Sequence, residues 1–136
     1  MPAAAQHTFG NTGLVPFYRP ELAVVQHVKL NVSATYVKGT VLGEVTATPG
    51  LFGLYADAGA GGLDTARAIL AYDCVVDASG NITLGGGEHG QTQLSAPAFF
   101  SGWFLASELT GLTAAAVVDL GRLISGSVSS GILRVE

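Results

Sequence analysis

The chain has 136 residues, 49% hydrophobic and only 12% charged, with ten acidic and six basic side chains for a net charge of -4. This is enough for one domain with a real core and too little for two. The charged share is about half the usual ~25%, so part of the surface is expected to meet other protein. A basic stripe for phosphate binding is excluded.

Residues 1–20 are rich in Ala, Gly, Pro, Asn and Thr, with Phe9, Leu14, Val15, Phe17 and Tyr18 spaced without helical or strand period. They read as an extended arm, because so many large apolar groups are wasted unless something eventually buries them. The start lacks the basic and apolar segments of a secretory signal, and no run reaches the ~18 apolar residues of a membrane span. Synthesis and retention in the cytoplasm are expected, with export only as part of something assembled there. Residues 21–136 read as one domain.

Leu22 to Val32 predicts a half-buried strand, alternating as Val28, Leu30 and Val32 against Lys29 and Asn31. Tyr36 to Thr48 predicts a second β stretch, interrupted at Gly39 and Gly43, where glycine suits a bulge, a bend or close backbone approach. A turn at Thr48-Pro49-Gly50 and a short strand over Leu51 to Tyr55 follow, then a glycine-rich loop from Asp57 to Asp64. Ala66 to Val76 is almost unbroken apolar sequence, as in a strand covered on both faces. Asp77 to Asn81 is a turn, Ile82 to Leu84 a brief strand, and Gln91 to Leu94 another. Thr113 is the N-cap of the single convincing helix, Ala114 to about Leu123, with Ala116, Leu120 and Leu123 on one face. Gly131 to Val135 closes the chain as a strand. Many short strands and one late helix make a mostly β, α+β domain.

Chemistry is sparse. Gly59-Ala60-Gly61-Gly62 lacks the Lys-Ser/Thr ending of a P-loop. Glu88-His89 sits in a glycine-rich turn with no further ligand at metal spacing, and His7 and His27 stand alone. No cofactor and no metal are expected. Asp73 and Asp77 suit turn and cap roles, and a hydrolase built on Asp73 or His89 ranks last because no partner groups are visible. The apolar neighbours of Cys74 favour a buried, inert thiol, and a lone cysteine forms no internal disulfide. Two glycosylation sequons, at Asn31 and Asn81, carry no weight without a secretory signal. Arg67, flanked by alanines, calls for a carboxylate partner or an interface. Phe99, Phe100, Trp103 and Phe104 form the densest aromatic cluster. It reads as core or subunit contact, with a sugar-stacking platform around Trp103 as the alternative, which would make the chain a carbohydrate-binding module.

Two short elements carry a resemblance. Lys38-Gly39-Thr40-Val41-Leu42-Gly43 resembles the "K-G-T-V-L-G" opening of the head decoration proteins of tailed bacteriophages, and Ala68-Ile69-Leu70 resembles their "G-I-L" strand, with Ala68 in place of Gly. Glu88-His89-Gly90 stands where that family has a short turn. Glu108-Leu109, the helix and Gly131-Ile132-Leu133-Arg134-Val135 are similar to its end. The resemblance spans Tyr36 to the C-terminus. It implies a non-catalytic domain of β-clip type and a homotrimer on the outer capsid surface at local threefold positions. It also implies an N-terminal segment, loose in the free protein, that is ordered by the major capsid protein, with a location in the virion. Nucleic acid and membrane are not expected as partners. The arm and first strand are longer here than in the family's lambda member, so the extra residues could hold the capsid, a neighbouring subunit, or both.

Overall fold

A computed structural model describes residues 23–32, 34–84, 92–121 and 133–135. Its centre is an antiparallel ribbon formed by the two elements singled out above. Strand β2 (Ala34–Tyr36) leads into β3 (Val41–Glu44), while β5 (Ala66–Leu70) leads into β6 (Cys74–Val76). Tyr36 lies opposite Cys74 and, five residues on, Val41 lies opposite Ile69, so one register runs through the bend. Gly39 donates its N–H to the Leu70 carbonyl at 2.8 Å and Leu70 donates to Thr40 at 2.9 Å, carrying the ladder between the two paired sections. Beside the bend, the Lys38 N–H donates to the Asp73 carboxylate at 2.7 Å.

The bend matches one expectation and corrects another. Tyr36 to Thr48 is interrupted at Gly39, where a break was expected, whereas Ala66 to Val76, expected as one strand, is divided between two sheets. The physical reason lies at Gly39, whose φ of +84° turns the chain where an L side chain would be strained. A Cβ there would also stand 2.3 Å from the Glu108 carbonyl oxygen. At Gly43, where close approach was expected, a Cβ would stand 2.9 Å from the Thr65 carbonyl oxygen.

On one side of the bend, β3 and β5 enter a sheet ordered β1 (Val24–Leu30), β4 (Leu51–Leu54), β3, β5, β9 (Ala96–Phe104), β10 (Leu133–Val135). Pairing of β1 with β9 closes the first five of these into a barrel. On the other side, β2 and β6 continue into β7 (Ile82–Leu84) and β8 (Thr92–Gln93) as a separate four-stranded sheet.

Two cores follow from strand alternation. Val28, Leu30, Leu42, Phe52, Ala68, Leu70, Ala96 and Ala98 fill the barrel, small and large side chains together, as a narrow barrel requires. Tyr36, Cys74, Val76 and Ile82 of the second sheet join the same cluster and cover it. Val41, Ile69 and Phe99 point the other way, beneath Ala116 and Leu120 of helix α1 (Ala114–Gly121). Ala68, Ile69 and Leu70 therefore alternate between two cores and are all fully buried, as expected for a strand covered on both faces. Val28 and Leu30 face inward as predicted. Val32 does not: it lies past the end of β1 and is 52% exposed.

Helix α1 spans only eight residues, too few to be stable alone, so its docked face sustains it. Thr113 caps it as predicted, its Oγ1 accepting the Ala116 N–H at 3.1 Å. Leu123, Gly131 and Ile132 lie outside the described residues.

Gly39→Ala tests the bend. It adds both backbone strain and a clash, so a loss of at least ~2 kcal/mol is expected from the urea midpoint at unchanged slope. Gly50→Ala, at φ +91° with open space around its Cβ position, is expected to cost less.

Candidate functional site

The predicted site residues fall into three groups. Phe9, Leu14, Val15, Phe17 and Tyr18, with Glu88 and His89, lie outside the described residues. The aromatic cluster is divided between the two cores. Phe99 and Phe104 are buried side by side under α1, ring centroids 5.0 Å apart, whereas Phe100 meets Phe52 edge-on at 5.7 Å against the barrel core. The division arises on β9, where Val24 pairs with Ser101 but Val25 with Phe99, a bulge that leaves Phe100 as the extra residue. Trp103 is half-buried. With Phe99 6% and Phe104 0% exposed, the cluster presents no continuous aromatic platform for stacking a sugar.

Arg67 forms the third group. It is half-buried, on the wall of a surface cleft of about 220 Å³ that also includes Glu44. A carboxylate partner or an interface was expected for it, and among the described residues no carboxylate pairs with it. Partial exposure removes the need for one, because water still reaches the guanidinium.

The acidic residues serve local architecture. Asp73 fixes the ribbon bend through Lys38. Asp77 accepts the Asn81 N–H at 2.9 Å and the Ser79 N–H at 2.8 Å, closing the β6–β7 hairpin, and these bonds hold its pKa below the ordinary carboxylate value. His27 Nδ1 lies 3.1 Å from Ser95 Oγ. No group of three or more His, Cys, Asp or Glu side chains could hold a metal among the described residues. No described helix is long and apolar enough to cross a membrane.

One polar constellation is invisible in the sequence. Tyr55 and Thr113 both donate to Asp57 Oδ1, Thr113 at 2.8 Å, and Tyr55 Oη lies 3.2 Å from Thr113 Oγ1. The Tyr55 hydrogen bond foremost, then that of Thr113, lowers the Asp57 pKa. Tyr55 is correspondingly raised, chiefly by its bond to Asp57. Since Thr113 also caps α1, this cluster ties the loop after β4 to the helix start. The separation of 56 positions from Asp57 to Thr113 leaves no local pattern from which to read it. Cys74 is buried beneath Tyr36 and Val76; desolvation, then the Asp73 charge, pushes its pKa up to about 12.

The surface is richer in apolar groups than in reactive ones. Val24 and Val25 on β1, Leu54 on β4, and Val117 and Val118 on α1 are between 38% and 57% exposed. Comparison with known proteins returned no matching family model, no matching curated protein and no matching solved structure.

Two measurements check these assignments. With its pKa depressed in the fold, Asp57 contributes stability that is present above the unfolded carboxylate value of about 3.9 and lost as pH falls through the lower folded value. Asp57→Asn is expected to flatten the acid limb of stability against pH; an unchanged limb would remove Asp57 from it. The Cys74 thiol is expected to resist a disulfide reagent at neutral pH in the folded protein and react fully in denaturant.

Proposed function

We propose that this chain is a capsid decoration protein. It is a β-rich subunit of β-clip type that binds as a homotrimer at local threefold positions on the outer surface of a tailed-phage head and stabilises the expanded shell, with no catalytic step. The observation that carries the reading is the pairing of Lys38–Gly43 with Ala68–Leu70. The two elements that resemble the decoration family are neighbours in one ladder, Leu42 opposite Ala68, which supports reading them together.

Other features support an assembly role. A charged share of 12% and exposed valines on β1 and α1 are suited to subunit contact, where apolar area replaces hydration. Strand β2 stands at the edge of the four-stranded sheet, where a partner strand can add by main-chain hydrogen bonds.

In this reading residues 1–20 are the capsid-binding arm. Phe9, Leu14, Val15, Phe17 and Tyr18 fill pockets on the major capsid protein while the backbone adds as a strand. Three arms on one trimer raise the effective concentration of each, so a modest single-arm affinity becomes durable attachment. A ligand that bridges subunits only in the expanded lattice shifts the shell toward that state and opposes internal pressure.

Sedimentation equilibrium at micromolar concentration is expected to give the trimer mass, and a stable monomer would contradict it. Deleting residues 1–20 is expected to leave a folded trimer that no longer binds capsids. Retained binding would remove the arm from this role.

A further inference from the structure

The cleft beside β3 is built from two opposite charges that do not meet. Its walls include Glu44, Thr46, Pro49, Thr65 and Arg67, and its volume is about 220 Å³. Arg67 is directed there by a β-bulge. Leu42 pairs with Ala68 and Gly43 with Ala66, so Arg67 is the extra residue, released from the strict in-and-out alternation of β5. Ala66 consequently joins the core under α1 while Ala68 faces the barrel interior.

Glu44 lines the same cleft. Its Oε2 accepts the Gly50 N–H at 2.9 Å, which holds the carboxylate at the rim of the cleft without neutralising its charge. Thr46 and Thr65 add hydroxyl-bearing side chains to its lining. The floor is close-packed: a Cβ on Gly62 would lie 2.2 Å from the Glu44 carbonyl oxygen and 2.5 Å from Thr46 Oγ1. A guanidinium and a carboxylate that line one cleft without forming an ion pair disfavour any ligand of a single charge, since each charge repels what the other attracts. Phosphate and dicarboxylates meet Glu44, and simple amines meet Arg67. The complementary ligand carries both an anionic and a cationic group, and a carboxylate matches the planar fork of Arg67.

We propose that this cleft binds a small zwitterion, a free α-amino acid with a short side chain, its carboxylate on Arg67 and its ammonium on Glu44. The inference is independent of the assembly role, since it rests on residues of the rigid body and needs no second copy.

The test is a titration of the full-length isotope-labelled protein, followed by amide NMR, with alanine, acetate and methylammonium added separately. Alanine is expected to shift the Thr46, Gly62 and Arg67 amides saturably with a millimolar midpoint, the scale for a ligand of about six heavy atoms. Acetate and methylammonium are each expected to bind at least about tenfold more weakly. Glu44→Gln retains an oxygen for the Gly50 N–H while removing the charge, and is expected to lower alanine affinity to that of acetate. Arg67→Gln is expected to abolish both. Absence of saturable shifts with alanine, or acetate binding as tightly as alanine, would overturn the proposal with no variant needed. Unchanged alanine affinity in Glu44→Gln would overturn it equally.

Discussion

The rest of the structure depends on one bent antiparallel ribbon. Its register passes unbroken from Tyr36 opposite Cys74 to Val41 opposite Ile69, although the first pair belongs to one sheet and the second to another. Were the chain to bend elsewhere, β2 and β6 could not cover the barrel while β3 and β5 help to form it. The bend is fixed by constraints of different kinds: the left-handed conformation of Gly39, its contact with the Glu108 carbonyl, and the Lys38 N–H on the Asp73 carboxylate. Both cores hang on the same few residues. Leu42, Ala68 and Leu70 serve one, Val41 and Ile69 the other, so neither core can open there without disturbing its neighbour.

This arrangement separates what makes the body rigid from what the body can touch. Side chains that might have carried chemistry are engaged in holding turns and caps: Asp77 in its hairpin, Asp73 at the bend, Asp57 at the start of α1. Cys74 is sealed inside with its thiol protonated at neutral pH. Among the described residues the surface keeps a set of valines and leucines, a half-buried, bulge-directed arginine and β2 at a sheet edge, features suited to binding. In the proposed assembly role the arm would make the specific contacts and the ribbon would keep the platform from deforming under load.

Legibility in the sequence followed the range of the interactions. The turn at Thr48–Gly50, the Thr113 cap and the inward faces of Val28 and Leu30 are local, set by glycine, hydroxyl and period-two patterns, and all could be read directly. The interruption at Gly39 was also visible, but not that it divides two sheets. The apolar run from Ala66 to Val76 passes through the bend almost unbroken, so β5 and β6 read as one strand. Barrel closure rests on the pairing of β1 with β9 across some seventy residues, for example His27 with Pro97, and no spacing rule encodes that distance. The aromatic cluster read as core, and Phe99 and Phe104 are buried there, but its division was hidden for a related reason: a bulge at Phe100 sends neighbouring rings into different cores. The Tyr55–Asp57–Thr113 contacts and the cleft around Arg67 are likewise products of tertiary folding.

Native-state hydrogen exchange tests most directly whether the ribbon is the element on which everything else depends. The Leu70 amide, bonded to Thr40, and the Gly39 amide, bonded to Leu70, lie at the bend. The account predicts that both exchange only through global unfolding, with the same free energy and the same denaturant dependence as the slowest amides of the protein. Exchange of Leu70 and Gly39 through a cheaper, denaturant-independent opening, while amides within the barrel and the four-stranded sheet stay protected, would contradict it. The two sheets would then be separately stable units joined by a hinge.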